Sequence, residues 1–168
     1  MLDETTAKGF KRIWIDYTVE VDASEAELGA LLSDIDAWPR WTPGLKAIKR
    51  KPSGEFPVGT RFTMVLEMKG LPGLPLPCQL FVKEPRRIEW GGGGLGSIIR
   101  HRFELTPLGA SRTSLRHVEY ATNLLALVTL PAEKAIHGHD RRWSNAIRAR
   151  FARPEAGALR RELETSPT

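Results

Sequence analysis

Two histidines, His101 and His117, are the side chains of this sequence best suited to proton chemistry. They fall in two neighbouring segments, 97–107 and 112–121, which both have the composition of strands and are joined by a short PLGA turn. A hairpin of this kind brings the two rings close to one another across the strand ladder. Two imidazoles with a carboxylate can bind a metal, relay protons or polarise a carbonyl group. The alternative is two isolated histidines, each hydrogen-bonded or half exposed.

The alternation of side chains along each strand predicts the direction of these groups. His101 shares the face of Phe103, so we expect it to point inward with the apolar set. Leu115 places His117 and Glu119 on its own inward face, whereas the apolar residues between and after them favour the opposite face. The orientation of the second histidine therefore stays open.

A third acid–base candidate is Asp140, on the apolar stripe of a predicted C-terminal helix that also carries Trp143 and Ile147. A buried carboxylate must find a partner or shift its pKa, so this group is either a pocket acid or base or the anchor of a salt bridge. His137 and His139 lie only two residues apart, which on a helix directs them to nearly opposite sides. We therefore expect no metal, and we expect no cofactor.

Composition favours one soluble globular domain. The chain has 168 residues, of which 41% are hydrophobic and 27% charged, which argues against a disordered or fibrous protein. The net charge of +5 is spread along the chain and mixed with acids, so it predicts a solvated basic surface. A surface module for protein or nucleic acid is a further hypothesis, and it rests on four arginines predicted to point outward from adjacent strands. These are Arg100, Arg102, Arg112 and Arg116.

The single cysteine, Cys78, excludes an intrachain disulfide and fits a reducing compartment, so we expect a cytoplasmic protein. It lacks an evident activating base and is expected to be a small apolar filler. The most apolar run, LLALVTL (124–130), is too short to span a bilayer. We expect no stable membrane insertion, no specific nucleic acid, and a monomer or homodimer.

The elements that would position these residues are one strand, short helices, six further strands and a long helix. The first strand, 13–21, alternates with Ile13 on the inward face, and Ser24 with Glu27 forms a capping box before the first helix. GLPGLP (70–75) and GGGG (91–94) are predicted to be loops between strands. Short connections predict an antiparallel meander that covers its apolar face with the long helix. The six further strands are predicted at 45–52, 59–69, 76–84, 86–91, 97–107 and 112–121.

This order of elements resembles the START-like, or polyketide cyclase/dehydrase-like, superfamily, with the α+β helix-grip fold also seen in birch pollen allergens. VDASEAELGALLSDIDAWPRWTPGLKAI (21–48) is similar to the family's first strand, helix pair and tryptophan. FPVGTRFTM (56–64), RIEWGGGG (87–94) and HRFELTPLGASRTSL (101–115) follow in the expected order. The resemblance covers about residues 13–152. It implies a seven-stranded curved antiparallel sheet wrapped around the C-terminal helix, with a hydrophobic cavity between them.

The resemblance implies binding of a small hydrophobic molecule of the lipid, quinone or aromatic polyketide type. The alternative is a cyclase, dehydratase or hydrolase in which His101, His117 or Asp140 acts as acid or base. The cavity would have a wall of apolar side chains and a few polar groups that orient the ligand. The predicted ligand-binding residues are Trp38, Arg40, Met64, Met68, Phe81, Trp90, His101, Phe103, His117, Trp143 and Ile147.

The AWPRW segment divides into two roles under this resemblance. Trp41 occupies the position of the family's tryptophan and is expected to plug one end of the core. Trp38 is expected nearer the cavity mouth, where it contacts a ligand, and Arg40 is expected to meet a carboxylate at the entrance. For the whole chain we predict an N-terminal extension (1–12), a ligand-binding domain (13–152) and a polar tail (153–168).

Overall fold

The computed structural model describes residues 11–50, 54–68, 71–94, 97–123 and 133–152, without the side chains of 68, 71, 72, 94 and 133–140. The polar tail, and the N-terminal extension up to residue 10, lie outside the described residues. The elements are β1 (Lys11–Val21), α1 (Glu25–Ser33), a 3₁₀ helix (Ile35–Arg40), β2 (Leu45–Lys49), β3 (Arg61–Met68), β4 (Leu71–Glu84), β5 (Arg87–Gly94), β6 (Ser97–Gly109), β7 (Arg112–Thr122) and α2 (Glu133–Phe151).

The strands form one seven-stranded antiparallel sheet in the order β1-β7-β6-β5-β4-β3-β2, so each strand from β2 to β7 pairs with its neighbours in sequence. β1 closes the order by pairing with β7. The predicted α+β helix-grip architecture is confirmed. We call the sheet face that packs against α2 the inner face, since Trp143 and Ile147 join its core, and we call the opposite face the outer face.

The start of β1 departs from simple alternation. The pairing with β7 shifts register between Ile13 and Ile15, which marks a bulge. The bulge turns Trp14 into the protein, where it is 2% exposed, and leaves Ile13 52% exposed. The predicted inward direction of Ile13 is therefore wrong, because an irregularity in the ladder changes the parity of every residue before it.

The capping box before α1 forms as predicted. The Ser24 hydroxyl accepts from the backbone N–H of Glu27 at 3.3 Å, and the Glu27 carboxylate accepts from the backbone N–H of Ser24 at 2.8 Å. These bonds fix the first turn and direct Leu28 and Leu32 into the core. α1 thereby covers the end of the inner face that α2 does not contact, where it touches β6 and β7.

Residues 71–75 of the GLPGLP segment are not a loop. β4 covers Leu71–Glu84, and its first half pairs with β3. Pro75 and Pro77 are compatible with this strand because the register with β5 runs only from Gln79 to Glu84, so the earlier backbone is paired on one side.

The four glycines GGGG (91–94) are not a hairpin connection either, because they form the end of β5 and pair with β6. A Cβ atom at Gly91 would lie 1.9 Å from the carbonyl oxygen of Ile99, and one at Gly92 would lie 2.1 Å from that of Pro77. Neighbouring backbones approach too closely for any side chain, so glycine is required here by packing in the sheet.

Candidate functional site

Two of the predicted acid–base residues, His101 on β6 and His117 on β7, lie close together on the inner face, where α2 approaches them. Nε2 of His101 lies 3.3 Å from Oε1 of Glu119, which stands directly opposite it in the ladder. The rings of His101 and His117 are 5.9 Å apart. Both His117 and Glu119 are buried and share the face of Leu115, which settles the orientation that the sequence left open.

Aromatic rings surround this pair. Trp90 stacks on His101 with ring centroids 5.1 Å apart and planes within 9°. Trp143 of α2 lies nearly parallel to both, 6.0 Å from His101 and 6.4 Å from Trp90, and it is also 6.4 Å from His117. The imidazole of His101 therefore packs among aromatic rings that come from both the sheet and the helix.

Three consecutive residues of α2 complete the site. Trp143 donates its indole N–H to the carbonyl oxygen of Pro43 at 3.1 Å, which fixes the ring. The hydroxyl of Ser144 lies 3.4 Å from Nδ1 of His117, and Asn145 accepts from the hydroxyl of Tyr17 at 3.4 Å.

Sequence reasoning missed the polar members of this set. Ser144 adjoins the apolar stripe of the helix, and Tyr17 of β1 packs against the core while its hydroxyl reaches Asn145. The spacing of the stripe would have found Ser144, since a residue next to Trp143 on the same helix side must also approach the sheet.

Several predicted wall residues lie in the same core. Met64, Trp90, Phe103 and Ile147 are buried there, with the ring of Phe103 4.4 Å from that of His117. Met68 ends β3, but its side chain lies outside the described residues, as does that of Asp140. Their roles stay predictions.

Phe81 is not part of this wall. β4 shifts register against β5 between Leu80 and Val82, so Phe81 occupies the bulge and its ring faces outward. The guanidinium of Arg100 lies 3.6 Å from its centroid on the outer face. The inward placement of Phe81 is therefore wrong, for the same reason as that of Ile13.

The two tryptophans of AWPRW have the opposite burial from the one expected. Trp38 is 1% exposed, donates to the carbonyl oxygen of Leu32 at 3.0 Å and lies 4.6 Å from the ring of Trp90. Trp41 is only half-buried, and Arg40 is exposed. An entrance position for Trp38 is wrong, since the 3₁₀ helix turns that ring into the core and leaves Trp41 nearer the surface.

The outer face carries a second buried carboxylate, which sequence reasoning did not single out. Glu89 is fully buried, and its oxygens accept from Arg87 at 2.7 Å, Arg100 at 2.7 Å and Arg102 at 2.9 Å. Burial alone would raise the pKa of Glu89, but the hydrogen bonds and positive charges of these arginines outweigh it, and the pKa is lowered. The carboxylate is therefore held ionised.

The outward arginine row continues this pattern of pairing. Arg116 binds Asp16 at 2.6 Å and Glu104 at 3.1 Å, and Arg112 lies 3.7 Å from Glu20. The guanidinium of Arg116 lowers the pKa of Asp16 through its hydrogen bond. The row thus lies in a lattice of alternating charges, which weakens the case for a surface that binds nucleic acid.

Two further observations limit the chemistry. Burial raises the pKa of the Cys78 thiol to about 12, so the thiol stays protonated and unreactive at neutral pH. Within the described parts of the chain, no three His, Cys, Asp or Glu side chains form a group that could hold a metal ion. Over the same residues, no helix is long and apolar enough to cross a bilayer.

A seven-stranded sheet gripping a C-terminal helix, with aromatic and polar side chains between them, defines the class of protein. Residues 12–164 match the family model for "Polyketide cyclase / dehydrase and lipid transport", and the chain belongs to that family. A search of curated protein sequences finds no match.

Solved structures show the same fold at low sequence identity. A START superfamily protein from Mycobacterium smegmatis has a TM-score of 0.64 at 23% identity, over 82% of this chain and 95% of its own. An aromatase/cyclase from Streptomyces sp. R1128 has a TM-score of 0.64 at 17%, over 84% and 94%. Norcoclaurine synthase from Thalictrum flavum has a TM-score of 0.65 at 17%, over 86% and 88%.

Proposed function

We propose that this protein binds a small apolar, ring-bearing molecule between the inner face and α2. The observation that carries the proposal is the cluster of Trp90, His101 and Trp143. Their rings come from both the sheet and the helix, are nearly parallel, and have centroids 5.1–6.4 Å apart. The family description, which names both cyclases and lipid transport, supports the same class of ligand.

The energetics favour such a ligand. Removing apolar surface from water contributes about 25 cal/mol per Å², so a bicyclic molecule gains most of its affinity from the apolar surface that it buries against these rings. The pair of His101 with the buried Glu119 and the contact of His117 with Ser144 add polar groups that fix its orientation.

The test is ligand retention by substituted proteins. The purified protein is titrated with a long-chain fatty acid, a short-chain quinone and a hydroxyanthraquinone, with binding followed by native mass spectrometry and thermal shift. We expect a ring-bearing probe to bind, and we expect Trp143→Leu to weaken it about tenfold or more, since the ring that closes the site is lost. Trp14→Leu is the control, because Trp14 lies in a separate small cluster with Ala121. Equal losses in both variants, or no binding by any probe, would contradict the proposal.

A second candidate function is acid–base catalysis on a bound carbonyl compound, and the pair of His101 and Glu119 favours it. A carboxylate that accepts an imidazole N–H orients the ring, as a general base requires. Such a base removes a proton from the carbon next to the ligand carbonyl, and solvent returns a proton to that carbon. The test is deuterium incorporation at C2 of 1-tetralone in heavy water. His101→Gln and Glu119→Gln should both abolish any protein-dependent rate, whereas a rate that survives both excludes this pair as the base.

A further inference from the structure

Three buried polar atoms near the aromatic cluster have no hydrogen-bond partner among the described residues. They are Nε1 of Trp41, Oγ1 of Thr42 and Nε1 of Trp90. Trp90 is fully buried and Thr42 nearly so. Buried donors are almost always satisfied, and one that is left without an acceptor destabilises the fold. A fold that keeps several of them in one neighbourhood is prepared for a partner from outside the chain.

These atoms lie close to the tryptophan rings of the proposed ligand-binding site. The ring of Trp38 lies 4.6 Å from that of Trp90 and 6.3 Å from that of Trp41. The turn that carries Thr42 also supplies, at Pro43, the carbonyl oxygen that holds the indole of Trp143.

The other indoles of the cluster show that the fold can provide acceptors here. Trp38 donates to the carbonyl oxygen of Leu32, and Trp143 donates to that of Pro43. Trp14 also lacks a partner among the described residues, but it lies in the separate cluster with Ala121 and is not part of this region.

Trp90 is the last residue of β5 that carries a side chain beyond hydrogen, because the strand continues as four glycines.

We infer that the ligand carries a ring carbonyl oxygen and that this oxygen accepts the indole N–H of Trp90. An indole N–H is a donor only, so its partner must be an acceptor. A hydrocarbon chain would leave the group unsatisfied, whereas a ketone or quinone oxygen on a flat ring system satisfies it and stacks on the same rings. The inference rests on the proposed function and narrows the ligand class from ring-bearing molecules in general to those that carry a ring carbonyl group.

The test compares 1-tetralone with tetralin, which share a bicyclic skeleton and differ by one carbonyl oxygen. Binding to the full chain is measured by titration, and the indole N–H signals are followed by ¹⁵N NMR. We expect tetralone to bind about tenfold more tightly than tetralin, the difference that satisfying one buried donor predicts. The Trp90 signal should move more with tetralone than with tetralin, whereas the signals of Trp38 and Trp143 should respond similarly to the two compounds.

Replacement of the N–H by sulfur isolates the hydrogen bond from the packing. In Trp90→benzothienylalanine the ring keeps its shape and loses the donor, so tetralone should bind only as well as tetralin. The ligand-free protein should be no less stable, since the lost group had no partner. Trp38→benzothienylalanine is the matched control, where stability should fall, because the Leu32 carbonyl loses its donor, and the preference for tetralone should remain.

The outcomes separate the two levels of the argument. If both compounds bind with equal affinity, or if the preference survives the change at Trp90, this inference is overturned while the proposed function stands. If neither compound binds, the proposed function fails together with it.

Discussion

Two glutamates, Glu89 and Glu119, are buried on opposite faces of the same sheet, and their partners differ in kind. Glu89 on the outer face accepts from three guanidinium groups, which remain charged at every pH at which proteins fold. Glu119 on the inner face pairs with the imidazole of His101. The outer site is a fixed arrangement of charge, whereas the inner site contains a side-chain type that proteins use as a general acid or base.

The clusters around Glu89 and Glu119 also differ in where they lie relative to the sheet and the helix. The outer cluster surrounds Glu89 with Arg87, Arg100 and Arg102 from β5 and β6, so it ties the centre of the sheet together. The inner pair is stacked beneath tryptophan rings where sheet and helix meet. We therefore assign stability to the first cluster and ligand orientation to the second.

The largest expected effect is the loss of charge at Glu89. Glu89→Gln leaves three arginines around a neutral amide, and breaking a buried ion pair in this way costs about 3–5 kcal/mol of the free energy of unfolding. Glu119→Gln should cost about 1 kcal/mol, because a neutral imidazole still hydrogen-bonds an amide. Urea unfolding at pH 7 measures both. Equal losses would contradict the assignment.

The stability of the parent protein should depend on acidic pH more strongly than the stability of Glu89→Gln. The folded-state pKa of Glu89 is lowered, so its contribution to stability is complete above its unfolded pKa of about 4.3 and is lost as pH falls through the lower, folded value. As the pH is lowered from 5 to 3, the urea concentration at half-unfolding should therefore decrease more steeply for the parent protein than for Glu89→Gln. Parallel curves would show that Glu89 contributes nothing to the pH dependence.

A smaller effect is expected where Arg100 packs on Phe81. Arg100→Lys keeps the charge but loses the planar stacking and the fixed fork of donors, at a cost of about 1 kcal/mol. Arg112→Lys, at an exposed pair, should change the free energy of unfolding by less than about 0.5 kcal/mol. If both substitutions changed the free energy of unfolding equally, the cluster around Glu89 would tolerate the replacement of arginine by lysine as well as an exposed ion pair does.

The sequence predicted the order of the elements and the inward direction of His101, because alternation within one strand carries that information. It left the direction of His117 open, because the apolar residues near the end of that strand favoured opposite faces. It could not predict features that depend on the register between strands. The bulges beside Ile13 and Phe81 reversed two orientations, and in each case the pairing of two distant segments decides the outcome.

The cluster around Glu89 was missed for a related reason. RIEW places Arg87 and Glu89 on one face, and RHR places Arg100 and Arg102 on one face, but only the register of β5 with β6 brings the four together. The run of glycines was misassigned because composition predicts a loop, while the close approach of Ile99 and Pro77 is visible only in the folded sheet.

The most direct test of the account compares ligand affinity in Glu119→Gln and Glu104→Gln. Both remove one glutamate charge, but Glu104 lies on the outer face beside Arg116. With 1-tetralone as the probe, the account predicts that Glu119→Gln weakens binding about tenfold, since the pair that orients the ligand is altered, and that Glu104→Gln leaves the affinity unchanged. Equal affinities in the two variants would contradict the assignment of ligand orientation to the inner face.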